Sequence, residues 1–106
     1  MHKKIGIIML TIMGILGLDS AAYAKKIQVV ATIGMIADAA REIGGDKVEV
    51  KGLMGAGVDP HLYKATESDV NKLARADIIF YNGLHLEAKM EKIFVQMRRN
   101  ATTVAV

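Results

Sequence analysis

The residues best suited to chemistry are His61 and Asp59, which flank the chain's single proline, Pro60, and a second pair, His85 and Glu87. Pro60 fixes its own φ and pushes Asp59 towards extended backbone. Gly55 and Gly57, just upstream, permit angles that other residues avoid. The run from Gly55 to His61 therefore reads as a stiff turn that holds the imidazole in one direction. An imidazole held in that way can bind a transition metal through one ring nitrogen while a hydrogen-bond acceptor orients the other. Asp59 is read as a hydrogen-bonding residue of its turn, not as a ligand. One imidazole in water binds such metals weakly, and high affinity needs several ligands in the right geometry.

His85 and Glu87 make an H-x-E pair. Two residues that far apart on a helix do not share a face, so joint metal binding is not expected of them. Glu87 is expected in the first turn of the helix that follows, where its charge suits the helix dipole. An exported metal-dependent hydrolase using His61, His85 and Glu87 would need closely placed ligands and a general base. The sequence holds no H-E-x-x-H run to supply them. Gly55 and Gly57 do not open a phosphate loop, because no Gly-Lys-Ser/Thr follows them. Tyr63 is expected to pack its ring and bond its hydroxyl locally. Met35, Met90 and Met97 are read as packing residues and Met54 as a residue beside the loop.

At 106 residues the chain allows one domain at most. It has no cysteine, which removes disulfides, thiolate zinc sites, a thiol nucleophile and a lipidated cysteine from consideration. Its formal charge of +3 is slight. No basic stripe with interleaved aromatics occurs, so nucleic acid is not an expected partner. Residues 1–24 read as a secretory signal peptide: Lys3 and Lys4 precede an uncharged apolar run from Ile5 to Leu18, and Ala22-Tyr23-Ala24 matches an A-x-A cleavage pattern. That apolar run is shorter than the roughly 20 residues that span a bilayer. Cleavage after Ala24 would release residues 25–106 into a periplasm-like space.

The elements that must position His61 follow from periodicity. Ile27 to Ala31 is a short β-branched run and reads as a buried strand. Apolar residues at Ile33, Ile36, Ala37, Ala40 and Ile43 recur at helical spacing, and Gly44-Gly45 ends that helix. Val48 to Leu53 alternates and reads as a half-exposed strand. Thr66 is the predicted N-cap of a helix from Glu67 to Arg75, with Glu67 and Asp69 in its first turn and Val70, Leu73 and Ala74 inward. Asp77 to Tyr81 is the third strand, and Asn82-Gly83 turns the chain out of it. Leu86, Met90, Ile93, Phe94 and Met97 form a helical stripe, and Thr102 to Val106 begins a fourth strand. Alternating strands and helices predict an α/β fold, a parallel sheet flanked by helices. Ligands gather at the carboxyl ends of such strands, which puts the His61 loop and the Asn82–Glu87 turn on one rim.

The string G-A-G-V-D-P-H-L-Y at Gly55 to Tyr63, followed by the helix start at Thr66 to Asp69, resembles the metal-binding loop of the periplasmic metal-binding proteins (TroA-like, ZnuA-like) that serve ABC transporters for zinc, manganese or iron. The resemblance extends from Ile27 to Val106 and includes T-I-G-M-I-A-D-A at Thr32 to Ala39 and A-D-I-I-F-Y-N-G-L-H-L-E at Ala76 to Glu87. It implies a solute-binding protein and not an enzyme, which captures a divalent metal, zinc or manganese, and hands it to an ABC permease. It also implies His61 as a metal ligand. The family's fold has two lobes with the metal held between them, usually by two or more histidines and a carboxylate. Residues 25–106 would form the first part of the N-terminal lobe, a truncated portion carrying only the first of those ligands. A surface adhesion or interaction protein of the same family is the alternative that the resemblance leaves open.

Overall fold

The computed structural model describes residues 25–106. The signal peptide predicted over residues 1–24, with its cleavage site, lies outside the described residues. Among the described residues, β1 (Ile27–Ala31), β2 (Val48–Gly52), β3 (Ile78–Tyr81) and β4 (Thr102–Ala105) form one sheet in the order β2-β1-β3-β4. Every pairing is parallel, with Val29 opposite both Val50 and Ile78, and Ile78 opposite Thr102. The helices are α1 (Gly34–Gly44), α2 (Glu67–Ala74) and α3 (Glu91–Met97). The predicted α/β architecture is therefore present, and no helix among the described residues is long and apolar enough to cross a membrane.

Strand order decides which face each helix covers. The chain steps from β1 to β2 in one direction, then back past β1 to β3 and on to β4. Right-handed crossovers therefore place α1 on one face and both α2 and α3 on the other. On the two-helix face, alternate strand residues Val30 and Ile79 pack with Leu73 of α2, Phe94 of α3, and Leu53, Met54, Ala76, Met90 and Ala101. Phe94 is also stacked on Tyr81, ring centroids 4.5 Å apart. On the other face Ala37 of α1 is buried close to the sheet.

The one-helix face corrects the expected role of Met35. Met35 is 80 % exposed and Ile43 87 % exposed. With α2 and α3 both on the far side, Ile33, Ile36, Ala40, Phe80 and Val106 line an open apolar groove of about 480 Å³ instead of a closed core. Gly45 ends α1 as its C-cap, at φ 56°, in the left-handed region that suits glycine, and its N–H donates to Arg41 O.

Two further expectations change in detail. In α2 only Leu73 points fully inward of the three apolar residues predicted to do so; Val70 and Ala74 are exposed. The other inward position is taken by Asp69, which is buried. The helix expected from Leu86 onward starts later, with a 3-10 turn over Ala88–Met90 before α3. The chain before it is held in a loop by Glu87.

Candidate metal centre

The His61 loop leaves the sheet beside β1. Leu53 N–H donates to Ala31 O at 3.0 Å and Met54 N–H to Thr32 O at 3.1 Å, and both side chains are buried. Beyond this anchor the backbone makes two tight turns, closed by Val58 N–H to Gly55 O at 3.4 Å and Leu62 N–H to Asp59 O at 3.2 Å. Gly57 takes φ 80°, an angle a side chain would resist. Asp59 Oδ1 accepts the His61 backbone N–H at 2.9 Å and lies 2.9 Å from His61 Nδ1. The two hydrogen bonds to His61, the imidazole's first and its backbone N–H's second, hold the Asp59 carboxyl below its ordinary pKa.

That geometry assigns the imidazole. An ionised carboxylate can only accept, so Nδ1 carries a proton, and in the neutral ring Nε2 keeps its lone pair. Both side chains are more than half exposed, which leaves Nε2 open to a ligand. A carboxylate on one ring nitrogen, with the other free, is the arrangement that orients and strengthens a metal-binding histidine. Asp59 thus bonds its own turn, as predicted, and orients the imidazole as well.

The far end of the loop is joined to α2. Thr66 caps the helix: Asp69 N–H donates to Thr66 Oγ1 at 3.1 Å, and Thr66 N–H donates to Asp69 Oδ2 at 2.9 Å. This is a reciprocal capping box with aspartate at the third helical position. The same Asp69 oxygen accepts the Tyr63 hydroxyl at 2.5 Å. The bond to Asp69, helped by burial, pushes the Tyr63 hydroxyl up to about 12. Burial works to raise the Asp69 pKa, but the hydrogen bonds with Tyr63 and Thr66 outweigh it and keep the carboxyl below its ordinary value.

The second predicted pair comes apart. Glu87 is not an exposed charge in a first helical turn; it directly precedes the 3-10 turn with its side chain buried, 1 % exposed, and turned back to the loop. Its Oε2 accepts from Thr32 Oγ1 at 2.6 Å and from Asn82 N–H at 2.7 Å, and its Oε1 from Gly83 N–H at 3.2 Å. The carboxylate joins the end of β1 to the loop leaving β3, at the point where the strand order reverses. His85 is exposed and its Nδ1 lies 2.7 Å from Glu91 Oε1, not from Glu87. The three residues of the hydrolase reading do not converge. Among the described residues no group of three or more His, Cys, Asp or Glu side chains could hold a metal ion.

Because all pairings are parallel, the His61 loop after β2 and the Asn82–Glu87 loop after β3 leave the same edge of the sheet, with β1 between them. Sequence reasoning missed Glu87 and Asp69 as the residues that tie these loops down. Asn82-Gly83 was a usable signal for Glu87, since a tight turn leaves backbone N–H groups in need of an acceptor.

Residues 29–106 match the family described as ZnuA, zinc-uptake complex component A, periplasmic. The chain belongs to the ZnuA family. Among its relatives, the zinc-binding protein TroA of Treponema pallidum is 57% identical over 88 residues, which is 83% of this chain and 28% of that protein. The manganese-binding lipoprotein MntA of Bacillus subtilis is 50% identical over 92 residues, 85% of this chain and 30% of MntA. The chain thus spans less than a third of these ZnuA relatives. The solved structure of the periplasmic zinc binding protein TroA superposes with a TM-score of 0.75, covering 76% of this chain and 29% of TroA. A Mn-bound periplasmic metal binding protein from Candidatus Liberibacter asiaticus, 36% identical, gives 0.69, with 76% and 30% covered. The parallel sheet with its flanking helices is the fold of this part of the ZnuA family.

Proposed function

We propose that this chain is the N-terminal portion of an extracytoplasmic solute-binding protein that captures a divalent metal, zinc or manganese, for an ABC permease, with His61 as a metal ligand. The observation that carries this reading is the Asp59–His61 pair, which leaves Nε2 free on the carboxyl rim of the sheet. The family match supports the function class. The relatives named for zinc and for manganese support the two candidate metals. The signal peptide predicted over residues 1–24 and the family's description as periplasmic support export to the periplasm.

The chemistry is capture and release, with no covalent step. The metal is the cargo. His61 donates one ring nitrogen, and Asp59 keeps the imidazole in the tautomer that can do so. One such donor holds zinc weakly, so the complete site draws further ligands from outside residues 25–106. A Zn²⁺ titration of the chain tests the ligand directly. His61→Ala should abolish the binding that wild type shows, and His85→Ala should leave it unchanged. Equal binding by His61→Ala and wild type would overturn the assignment.

A further inference from the structure

We propose that Tyr63, held by Asp69, is a positioning residue for the metal-binding loop: its hydroxyl ties the far end of the loop to α2 and so fixes His61 two residues before it. The proposal rests on the reading of His61 as a ligand. The loop from Gly55 to Leu62 is largely exposed, and the backbone bonds that close its turns run within the loop itself. What binds it to the body of the protein lies at Leu53 and Met54 on one side and at Tyr63 to Thr66 on the other. Tyr63 lies two residues after His61 and packs its ring against the core cluster.

Its hydroxyl gives its single proton to Asp69 Oδ2 at 2.5 Å, and its oxygen also lies 3.4 Å from Leu53 O. The one hydrogen bond of the phenol therefore ties the far end of the loop to α2. Asp69 is suited to receive it: the carboxylate is 3 % exposed and pinned by the Thr66 amide. The Asp69 carboxylate has two separable tasks, capping α2 through Thr66 and anchoring the loop through Tyr63. Tyr63→Phe removes the second and keeps the first, because the ring and the capping box remain. Thr66→Ala keeps the Tyr63–Asp69 bond and removes the other half of the capping box, the Thr66 Oγ1 that accepts the Asp69 N–H. A residue that merely stabilises the fold would give the same result whichever task was removed.

The test is Zn²⁺ affinity of the full chain by calorimetry, at a temperature where each variant is fully folded by circular dichroism, together with amide hydrogen exchange at His61. Tyr63→Phe should weaken Zn²⁺ binding about tenfold, the lower end of the effect of removing a partner behind a metal ligand. It should also speed exchange of the His61 N–H that donates to Asp59. Thr66→Ala should lower the melting temperature and leave Zn²⁺ affinity within about twofold. Unchanged affinity and unchanged His61 exchange in Tyr63→Phe would overturn the positioning role, as would an equal loss of affinity in Thr66→Ala. If His61→Ala binds Zn²⁺ like wild type, it is the ligand assignment beneath the proposal that has failed.

Discussion

Asp59 Oδ1 receives both the backbone N–H and the ring Nδ1 side of His61, each at 2.9 Å, so one carboxylate oxygen sets the direction and the tautomer of one imidazole. The two residues are separated only by Pro60, whose fixed φ and missing N–H favour this tight return of the chain. Asp59→Ala should release the ring: ¹⁵N spectra of His61 would change from a single Nδ1–H tautomer to a mixture dominated by Nε2–H. Zn²⁺ affinity should fall about 10-fold or more. Asp59→Asn keeps an oxygen acceptor and should lie between the two. Spectra that stay in one tautomer in Asp59→Ala would show that something other than Asp59 orients the ring.

Glu87 supplies a stability prediction. Three donors, Thr32 Oγ1 and the N–H groups of Asn82 and Gly83, converge on a carboxylate removed from solvent. Glu87→Ala leaves the buried Thr32 hydroxyl and the half-buried N–H groups of Asn82 and Gly83 without their acceptor, and a buried polar group left unsatisfied costs about 1–3 kcal/mol. A total loss of about 3 kcal/mol is expected, read as a lower urea midpoint with an unchanged slope. Glu87→Gln should fare only partly better, because its NH₂ group would face backbone N–H groups. A loss below about 1 kcal/mol in Glu87→Ala would mean that water replaces the carboxylate at this junction.

These two sites show what the sequence could and could not reveal. The strands, the α1 stripe, the Thr66 cap and the His61 turn were legible because each rests on neighbours within a few residues. Ile27 to Ala31 is β-branched, Thr66 precedes Asp69 at the right offset, and Pro60 acts on Asp59 directly. Glu87 was misread as a helix-start charge because its partner Thr32 lies 55 residues away and meets it only after β3 pairs beside β1. Ile43, a residue of the predicted α1 stripe that is 87 % exposed, was misread for a related reason. Helical periodicity reports an apolar stripe, but strand order decides whether anything covers it.

Acid should act through Asp69. Its folded-state pKa is held below the ordinary value, so its hydrogen bonds with Tyr63 and Thr66 stabilise the native state fully above the unfolded pKa near 4. That contribution is lost as pH falls through the lower folded value. The urea midpoint of wild type should therefore drop on acidification below about pH 4. Asp69→Asn, less stable at neutral pH, should show a shallower drop over the same window. Parallel pH profiles for the two would show that other carboxyls carry the acid sensitivity.

The turn at Leu84 and His85 yields a stabilising substitution. Leu86 N–H donates to Gly83 O at 3.1 Å, and both residues between lie at positive φ, 52° for Leu84 and 62° for His85. L-residues with side chains resist that region, whereas Asn and Gly tolerate it, which is why Asn-Gly dominates turns with two left-handed central residues. Leu84 gains nothing from packing, since it is 96 % exposed, and His85 loses only an exposed contact with Glu91. An exposed pair of this kind contributes at most about 1 kcal/mol. The double variant Leu84→Asn/His85→Gly should therefore raise stability by about 1 kcal/mol, seen as a higher melting temperature. Zn²⁺ binding at His61 should be unaffected, because neither residue touches that loop's hydrogen bonds. A lower melting temperature would show that the His85–Glu91 contact outweighs the backbone strain, and it would reopen this rim as a structural element in its own right.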